Sequence, residues 1–436
     1  MEWWLVLGII FGSLIIAFMT GIPVAFAFLG LNIVGLVLLT GGTVGLTLII
    51  GSVFDSVTTF TLIAIPMFFL MGEVLFHSRV IDMVMEATDK WIGRVRARLL
   101  FVSLGAGTGL ATLSGAGMAD TALIASTLYP DMERRGYDPK LSIGVITSSG
   151  LLAAIIPPSA LAVLLASLAS VSAGRLLIAG LIPGLMIAGI YAVYIGVRAY
   201  LNPSLTPSYP YESVTWMEKI VLAAKLLPLG VVIFSVMGFI ILGIATPSEA
   251  AATGALAAIV VTALYRRLNL KVLANSVMGV VRIATMILLI VAGAKGFGQV
   301  LAMTGATQGL LEFVTGLDVS PIVLLLLIQL AVILLGLFVD PVAIMLITIP
   351  IVAPLIPAFG WDPIWFYILF LINIVIGNES PPFGLTLFVV KGVLPHISIG
   401  TIFRAQIPFI IMDAAAMGIL ILFPQIVLWL PNRVLN

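Results

Sequence analysis

The sequence contains one arrangement of proline, glycine and aspartate twice, at a constant separation of 224 positions (Pro381 minus Pro157). The matched pairs are Pro130 and Pro354, Gly136 and Gly360, Asp138-Pro139 and Asp362-Pro363, and Pro157-Pro158 and Pro381-Pro382. Glycine and proline constrain the backbone more strongly than other residues do. Because the agreement contains no gap, it predicts an internal duplication, with one repeat over residues 1–212 and a second over 213–436.

Long apolar stretches place both repeats in a membrane. Charged residues make up only 9% of the chain and hydrophobic residues 61%, whereas soluble domains contain about 25% charged residues. Many stretches of about 20 apolar residues follow one another, and each could cross a bilayer. The sequence therefore predicts an all-α polytopic membrane protein with about 10–12 spans.

Several functions are disfavoured by what the sequence lacks. The net charge of +1 indicates no nucleic-acid surface, and without cysteine there can be no disulfide or thiolate site. No HExxH motif, P-loop or nucleophile–histidine pairing is present, so we predict neither an enzyme nor a cofactor. The first apolar stretch has no basic n-region and no cleavage site, so we interpret it as an uncleaved span.

The first repeat predicts spans near 4–20, 23–41 and 46–71, the third bent at Pro66. A basic amphipathic helix at 73–98 and a glycine-broken hairpin at about 99–133 follow. The hairpin precedes a Pro-Pro-broken helix at about 141–170, a span at 176–198 and a linker at 199–217. The second repeat predicts spans near 218–243, 247–265 and 273–292, an amphipathic segment at 297–322, a hairpin at about 323–357 and a broken helix at about 364–394.

The distribution of Lys and Arg indicates that the repeats are inverted. Residues 79–98 and 134–140 are rich in basic residues, whereas the matching segments 303–320 and 358–362 contain none. By the positive-inside bias, the first pair is cytoplasmic and the second periplasmic. Inverted repeats with broken helices are typical of secondary transporters. The alternative is that these Gly and Pro residues only allow close helix packing.

Three ionisable residues are candidate substrate ligands. Lys295 and Glu379 fall at membrane depth, where such residues are functional candidates by default. Lys295 could pair with a substrate carboxylate, reach the interface, or pair with Glu379. Asp340 precedes Pro341, so helix capping competes with a transport role there.

A set of motifs resembles one transporter family. The motifs are FDSVTTFTLIAIPMFFLMGEVL (54–75), SGAGMADT (114–121), IIPPSA (155–160), LIPGL (181–185), ATPSEAAATGA (245–255), GLFVDPVAIMLITIP (336–350) and GNESPPFGLTLFV (377–389). They are similar to the DctM-type large membrane subunit of tripartite ATP-independent periplasmic (TRAP) transporters. The resemblance implies sodium-driven uptake of small organic acids by an elevator motion in the bacterial inner membrane. It also implies two partners, a small four-helix membrane subunit and a periplasmic substrate-binding protein, besides membrane lipid.

The resemblance also implies two sodium sites. The first falls on Ser114, Gly117, Ala153, Ile156 and Pro158, and the second on Gly336, Gly377, Ser380 and Phe383. Ligation by oxygen atoms alone suits a hard cation. Two other functions compete: a self-sufficient sodium-coupled anion symporter or antiporter of the same architecture, and, weakly, an intramembrane enzyme.

Overall fold

The computed structural model describes residues 2–92, 95–114, 117–207 and 215–434. All regular secondary structure within these ranges is helical, which confirms the predicted all-α polytopic fold. Among the described residues, five helical segments are long and apolar enough to cross a membrane: Phe60–His77, Ala173–Leu201, Pro247–Leu264, Leu270–Met303 and Ile399–Leu422. A bent pair, Trp216–Ala224 and Leu226–Ile241, is a sixth candidate, and the other apolar helices have 10–17 residues.

The helices before residue 208 are α1 (Trp3–Met19), α2 (Val24–Thr40), α3 (Thr43–Val57), α4 (Ala64–His77), α5 (Val80–Ile92), α6 (Arg98–Ser114), α7 (Gly117–Arg134), α8 (Pro139–Leu151), α9 (Ala160–Leu168) and α10 (Ala173–Leu201). Short 3-10 turns cover Phe60–Ile63, Leu152–Ala154 and Pro203–Leu205. Helices α6 and α7 form the predicted first hairpin, and α8 and α9 form the predicted first broken helix.

The later helices are α11 (Trp216–Ile233), α12 (Phe239–Ile241), α13 (Pro247–Leu264), α14 (Leu270–Met303), α15 (Ala306–Gly316), α16 (Pro321–Gly336), α17 (Pro341–Val352), α18 (Leu355–Ala358), α19 (Pro363–Glu379), α20 (Leu385–Val393), α21 (Ile399–Leu422) and α22 (Gln425–Val434). A π-helical turn over Phe234–Gly238 joins α11 to α12. The second hairpin consists of α16 and α17, and the second broken helix of α19 and α20.

The duplicated residues build the same local structure twice. Gly136 and Gly360 follow the two hairpins with φ of +75° and +68°, a conformation that glycine adopts at helix C-termini without steric cost. Asp138 and Asp362 then cap α8 and α19, each accepting hydrogen bonds from backbone N–H groups of the first turn. Proline occupies the first helical position in both, where its missing N–H has no consequence. Both Pro-Pro bonds at the interruptions are cis.

The third predicted span is wrong in detail, because it consists of two helices. Helix α3 ends at Val57, and a 3-10 turn leads into α4. Pro66 lies in the first turn of α4, a position that tolerates proline. The helix is therefore interrupted before Pro66 rather than bent at it. The later predicted span at 273–292 is too short, since the 34-residue α14 continues to Met303.

The two amphipathic segments also begin later than predicted. Helix α4 continues through His77, and α5 starts only after Arg79, whose φ is +55°. In the second half, Gly305 has a φ of +69° and separates α14 from α15. Positions 79 and 303 are separated by 224, the spacing between the two repeats, so the chain turns at nearly the same place in both repeats. The predicted ranges 73–98 and 297–322 therefore each include the end of a preceding span.

The buried centre consists of α8 and α19. Every residue from Leu141 to Leu151, and every residue from Ile364 to Glu379, is buried. Helix α8 packs against α6, α7 and α21, and α19 packs against α10, α16 and α21. We call these helices, with α9 and α17, the hairpin bundle. Helices α2, α3, α4, α13 and α14 pack mainly on one another and form a second group, the α14 bundle.

Candidate functional site

The first predicted sodium site lies where the hairpin α6–α7 meets the end of α8. A side-chain methyl on Gly117 would lie 3.2 Å from the carbonyl oxygen of Gly150, so the hairpin backbone contacts the last turn of α8. Ala153 and Ile156 follow in the buried interruption. No described residue donates a hydrogen bond to the carbonyl oxygen of either one. The side chain of Ser114, together with residues 115–116, falls outside the described part of the chain.

Other carbonyl groups of this interruption already have neighbours. The Leu152 oxygen accepts two backbone hydrogen bonds, of 3.0 and 2.8 Å, and the Ala154 oxygen accepts one from a serine hydroxyl at 2.8 Å. The Ile155 oxygen packs against α10, because a methyl on Gly180 would lie 2.3 Å from it. Pro158 has no N–H to donate. The carbonyl oxygens of the predicted site that have no described donor are thus those of Ala153, Ile156 and Pro158.

The second predicted site lies where α16 meets the end of α19. A methyl on Gly336 would lie 2.8 Å from the Cα of Gly377, and one on Gly377 would lie 2.6 Å from the Cα of Gly336. Ser380 is adjacent, and its hydroxyl donates to the Ile376 carbonyl oxygen at 2.6 Å. The Phe383 side chain is half-exposed and its ring packs on another aromatic ring. The structure therefore brings Gly336, Gly377 and Ser380 together.

A cavity of about 660 Å³ lies between the two bundles, and Lys295 of α14 lines it. The Lys295 Nζ lies 3.3 Å from the Asp55 carbonyl oxygen and 3.4 Å from the Thr59 hydroxyl. Within the described ranges, no carboxylate forms an ion pair with Lys295. The opposite wall comes from the end of α9 and from α17, including Met345 and Ile349. The ammonium group thus faces a mainly apolar space without a counter-charge.

The two acidic candidates do not line this cavity. The Asp340 carboxylate caps α17, accepting from the first-turn N–H groups of residues 342 and 343 at 3.1 Å each. Glu379 is fully buried, and its Oε2 accepts from the Ser148 hydroxyl at 2.8 Å and from the Gln406 side-chain amide. The possible pairing of Lys295 with Glu379 is therefore wrong. Of the three candidate substrate ligands, only Lys295 lines the cavity.

Sequence reasoning missed several polar residues beside these positions. On α10 and α21, the buried Tyr191 hydroxyl donates to Asp413 at 2.5 Å. Asp413 and Gln406 stand in a mainly apolar helix, a signal that could have identified them. We call the place where the α6–α7 hairpin meets the end of α8 the first junction, and the place where α16 meets the end of α19 the second. At the first junction, the Thr121 hydroxyl lies 3.0 Å from the Gly117 carbonyl oxygen and donates to it. Thr121 belongs to the SGAGMADT motif, so the motif could have identified it as a polar residue of this site.

Two hairpins, two interrupted helices and a cavity between the two bundles are the architecture expected of a polytopic membrane transport permease. A family model confirms this class. The chain belongs to the DctM component family of tripartite ATP-independent periplasmic transporters, whose model matches residues 11–426. The resemblance stated from the motifs is therefore correct, and the chain is a large permease subunit of a TRAP transporter.

Relatives match over nearly the whole chain. The ectoine TRAP transporter large permease protein TeaC of Halomonas elongata is 30% identical over 421 residues, covering 96% of each chain. The C4-dicarboxylate protein DctM of Pseudomonas aeruginosa is 32% identical over 381 residues, covering 87% of this chain and 88% of the relative. The crystal structure of the Alcanivorax borkumensis YdaH transporter has a TM-score of 0.68 at 15% identity, over 93% of this chain and 99% of that one. At that identity the last likeness concerns the fold alone.

Proposed function

We propose that this chain is the transport subunit of a sodium-coupled importer of small organic acids in a bacterial inner membrane. The observation that carries the proposal is the uncompensated ammonium of Lys295 in the cavity between the two bundles. Lys295 is an exposed residue, and its ammonium group at the wall of a mainly apolar cavity favours a carboxylate ligand. Relatives described as permeases for ectoine and C4-dicarboxylates support a small organic solute. Movement of the hairpin bundle along the α14 bundle would carry the solute across the membrane by an elevator mechanism.

The importer also needs two partners, a four-helix membrane subunit and a periplasmic binding protein that delivers the substrate. We expect proteoliposomes with all three proteins to accumulate solute when an inward sodium gradient is imposed. Liposomes with this chain alone should not accumulate it. Each protein is omitted in turn, with a dissipated sodium gradient as the control. Robust uptake by this chain alone would support the alternative function, a self-sufficient sodium-coupled symporter.

The two junctions are the proposed sodium sites. A Pro-Pro interruption leaves carbonyl groups of the preceding turn without intrahelical donors, and each unpaired buried group costs about 1–3 kcal/mol. The carbonyl oxygens of Ala153 and Ile156 have no described donor, and neither does that of Gly336 at the second junction. Converging oxygen atoms of this kind suit a hard monovalent cation. A hydroxyl, from Ser114 or Ser380, would complete each site.

We expect Ser114→Ala and Ser380→Ala each to raise the sodium concentration for half-maximal uptake, because each removes a proposed oxygen ligand. Ser126→Ala is the matched control, since this exposed serine of α7 makes the same kind of helix-backbone hydrogen bond as Ser380. Sodium titrations of uptake by folded protein measure the effect. Unchanged sodium dependence in both variants would show that ordered water, rather than sodium, satisfies these carbonyl groups.

The repeats 1–212 and 213–436 are proposed to lie in the membrane in opposite orientations. Cysteine introduced at the exposed Arg96 should be protected from an impermeant thiol reagent in intact cells, whereas cysteine at the exposed Glu312 should react. Because the natural chain has no cysteine, each variant carries a single reactive group. Opening the cells should make both positions reactive. Equal labelling in intact cells would contradict the inverted arrangement.

A further inference from the structure

We infer that the cavity at Lys295 selects a hydroxylated monocarboxylate, a solute with one carboxylate and an uncharged body that carries hydroxyl groups. The inference rests on the proposed function and narrows its substrate class. It comes from the charges and hydrogen-bonding groups of the cavity wall.

The charge of the wall fixes the charge of the ligand. Among the described residues that line the cavity, Lys295 alone carries a formal charge. Its two contacts are neutral oxygen atoms, and Asp55 contributes its backbone carbonyl rather than its carboxylate. One carboxylate of a ligand would therefore neutralise the cavity. The contacts of 3.3 and 3.4 Å are long for hydrogen bonds, so a carboxylate could replace them at small cost.

A second charge on the ligand would find no counterpart. The rest of the wall is mainly apolar and includes Leu62, Val291, Met345, Leu346 and Ile349. A second carboxylate would stay unpaired there, and an ammonium group would meet Lys295 but no acid. Burying an unpaired charge is strongly unfavourable. The wall thus disfavours both dicarboxylates and zwitterions.

Hydroxyl groups on the wall indicate the nature of the ligand body. Thr61, Ser167 and Ser170 line the cavity, and the described contacts give none of their hydroxyls a protein partner. Each hydroxyl can donate one hydrogen bond and accept others. A purely hydrocarbon body would leave them unpaired on dehydration, whereas hydroxyl groups on the ligand would pair with them. A polyhydroxylated chain with one carboxylate satisfies all these groups.

A single cysteine in the wall provides a direct test. The variant Val171→Cys places a thiol in the cavity of a chain that otherwise has none. Protection of this thiol from a soluble maleimide is measured with six-carbon probes in the purified complex with its membrane subunit. We expect gluconate or galactonate to protect at concentrations at least tenfold lower than glucarate, 6-aminohexanoate or hexanoate. Relative to gluconate, glucarate adds a carboxylate and hexanoate removes the hydroxyl groups. Relative to hexanoate, 6-aminohexanoate adds an ammonium group.

The same measurement in charge variants tests the role of Lys295. In the Val171→Cys background, Lys295→Gln should remove the preference for gluconate over glucarate and Lys295→Arg should keep it. Lys391→Gln is the matched control, because Lys391, like Lys295, contacts only uncharged oxygen atoms but lies outside the cavity. Equal protection by glucarate, or none by gluconate and galactonate, would overturn the inference. Because protection is measured at saturating sodium, without a gradient and without a binding protein, failure of the proposed transport function would appear separately in the uptake assay.

Discussion

Replacing Gly180 by alanine is expected to destabilise the protein and abolish transport. The added methyl would lie 2.3 Å from the carbonyl oxygen of Ile155, which is backbone and cannot rotate away. Overpacking of this kind typically costs about 1–3 kcal/mol, and more where backbone must move. The displaced Ile155 lies between Ala153 and Ile156, whose oxygens we assign to sodium. The change should therefore disturb the first junction itself.

Gly189→Ala is the matched control, in the same helix α10. Apart from its chain neighbours and the adjacent backbone of α10, no atom lies within 4 Å of the methyl that it would add, so alanine should raise helix stability by up to about 1 kcal/mol. Thermal unfolding in detergent and sodium-driven uptake measure both variants. If Gly180→Ala unfolds and transports like Gly189→Ala, the close packing of α10 on the first interruption is not required.

Replacing Glu379 by alanine is expected to cause the other large loss of stability. The side chain is 0% exposed and accepts hydrogen bonds from Ser148 and Gln406. Its removal would take an acceptor from each of two buried donors and create a cavity, at a cost on the order of 2–5 kcal/mol. Because α8, α19 and α21 all contribute to this cluster, we expect the loss to affect the whole hairpin bundle. Thermal unfolding of the purified protein measures it.

The control for this change is Glu312→Ala, which truncates an exposed glutamate on α15. Surface substitutions of that kind usually change stability by less than about 0.5 kcal/mol. Equal unfolding temperatures for the two variants would show that the Glu379 cluster contributes nothing to stability. A stable Glu379→Ala protein without uptake would instead favour the direct transport role considered from the sequence.

The sequence by itself determined the helical class and the ends of the repeated elements. An Asp-Pro pair specifies a helix start, and a glycine with positive φ specifies a helix end, because both act within one turn of the chain. Asp138 and Asp362 cap the two central helices, and Gly136 and Gly360 end the two hairpins, as the duplicated pattern indicates. Local chemistry of this kind needs no knowledge of distant residues.

Only the tertiary structure decided the partners of the polar side chains. Glu379 and Ser148 are separated by 231 positions, and the serine is brought to the carboxylate by the packing of α8 and α19 at the centre of the hairpin bundle. Lys295 contacts a backbone oxygen in the last turn of α3 and a hydroxyl oxygen just after α3 rather than an acid, because α14 packs on α3 in the other bundle. Apolar spans present nearly uniform surfaces, so hydropathy cannot specify which helices meet. Close packing at particular small residues, such as Gly336 against Gly377, makes that choice.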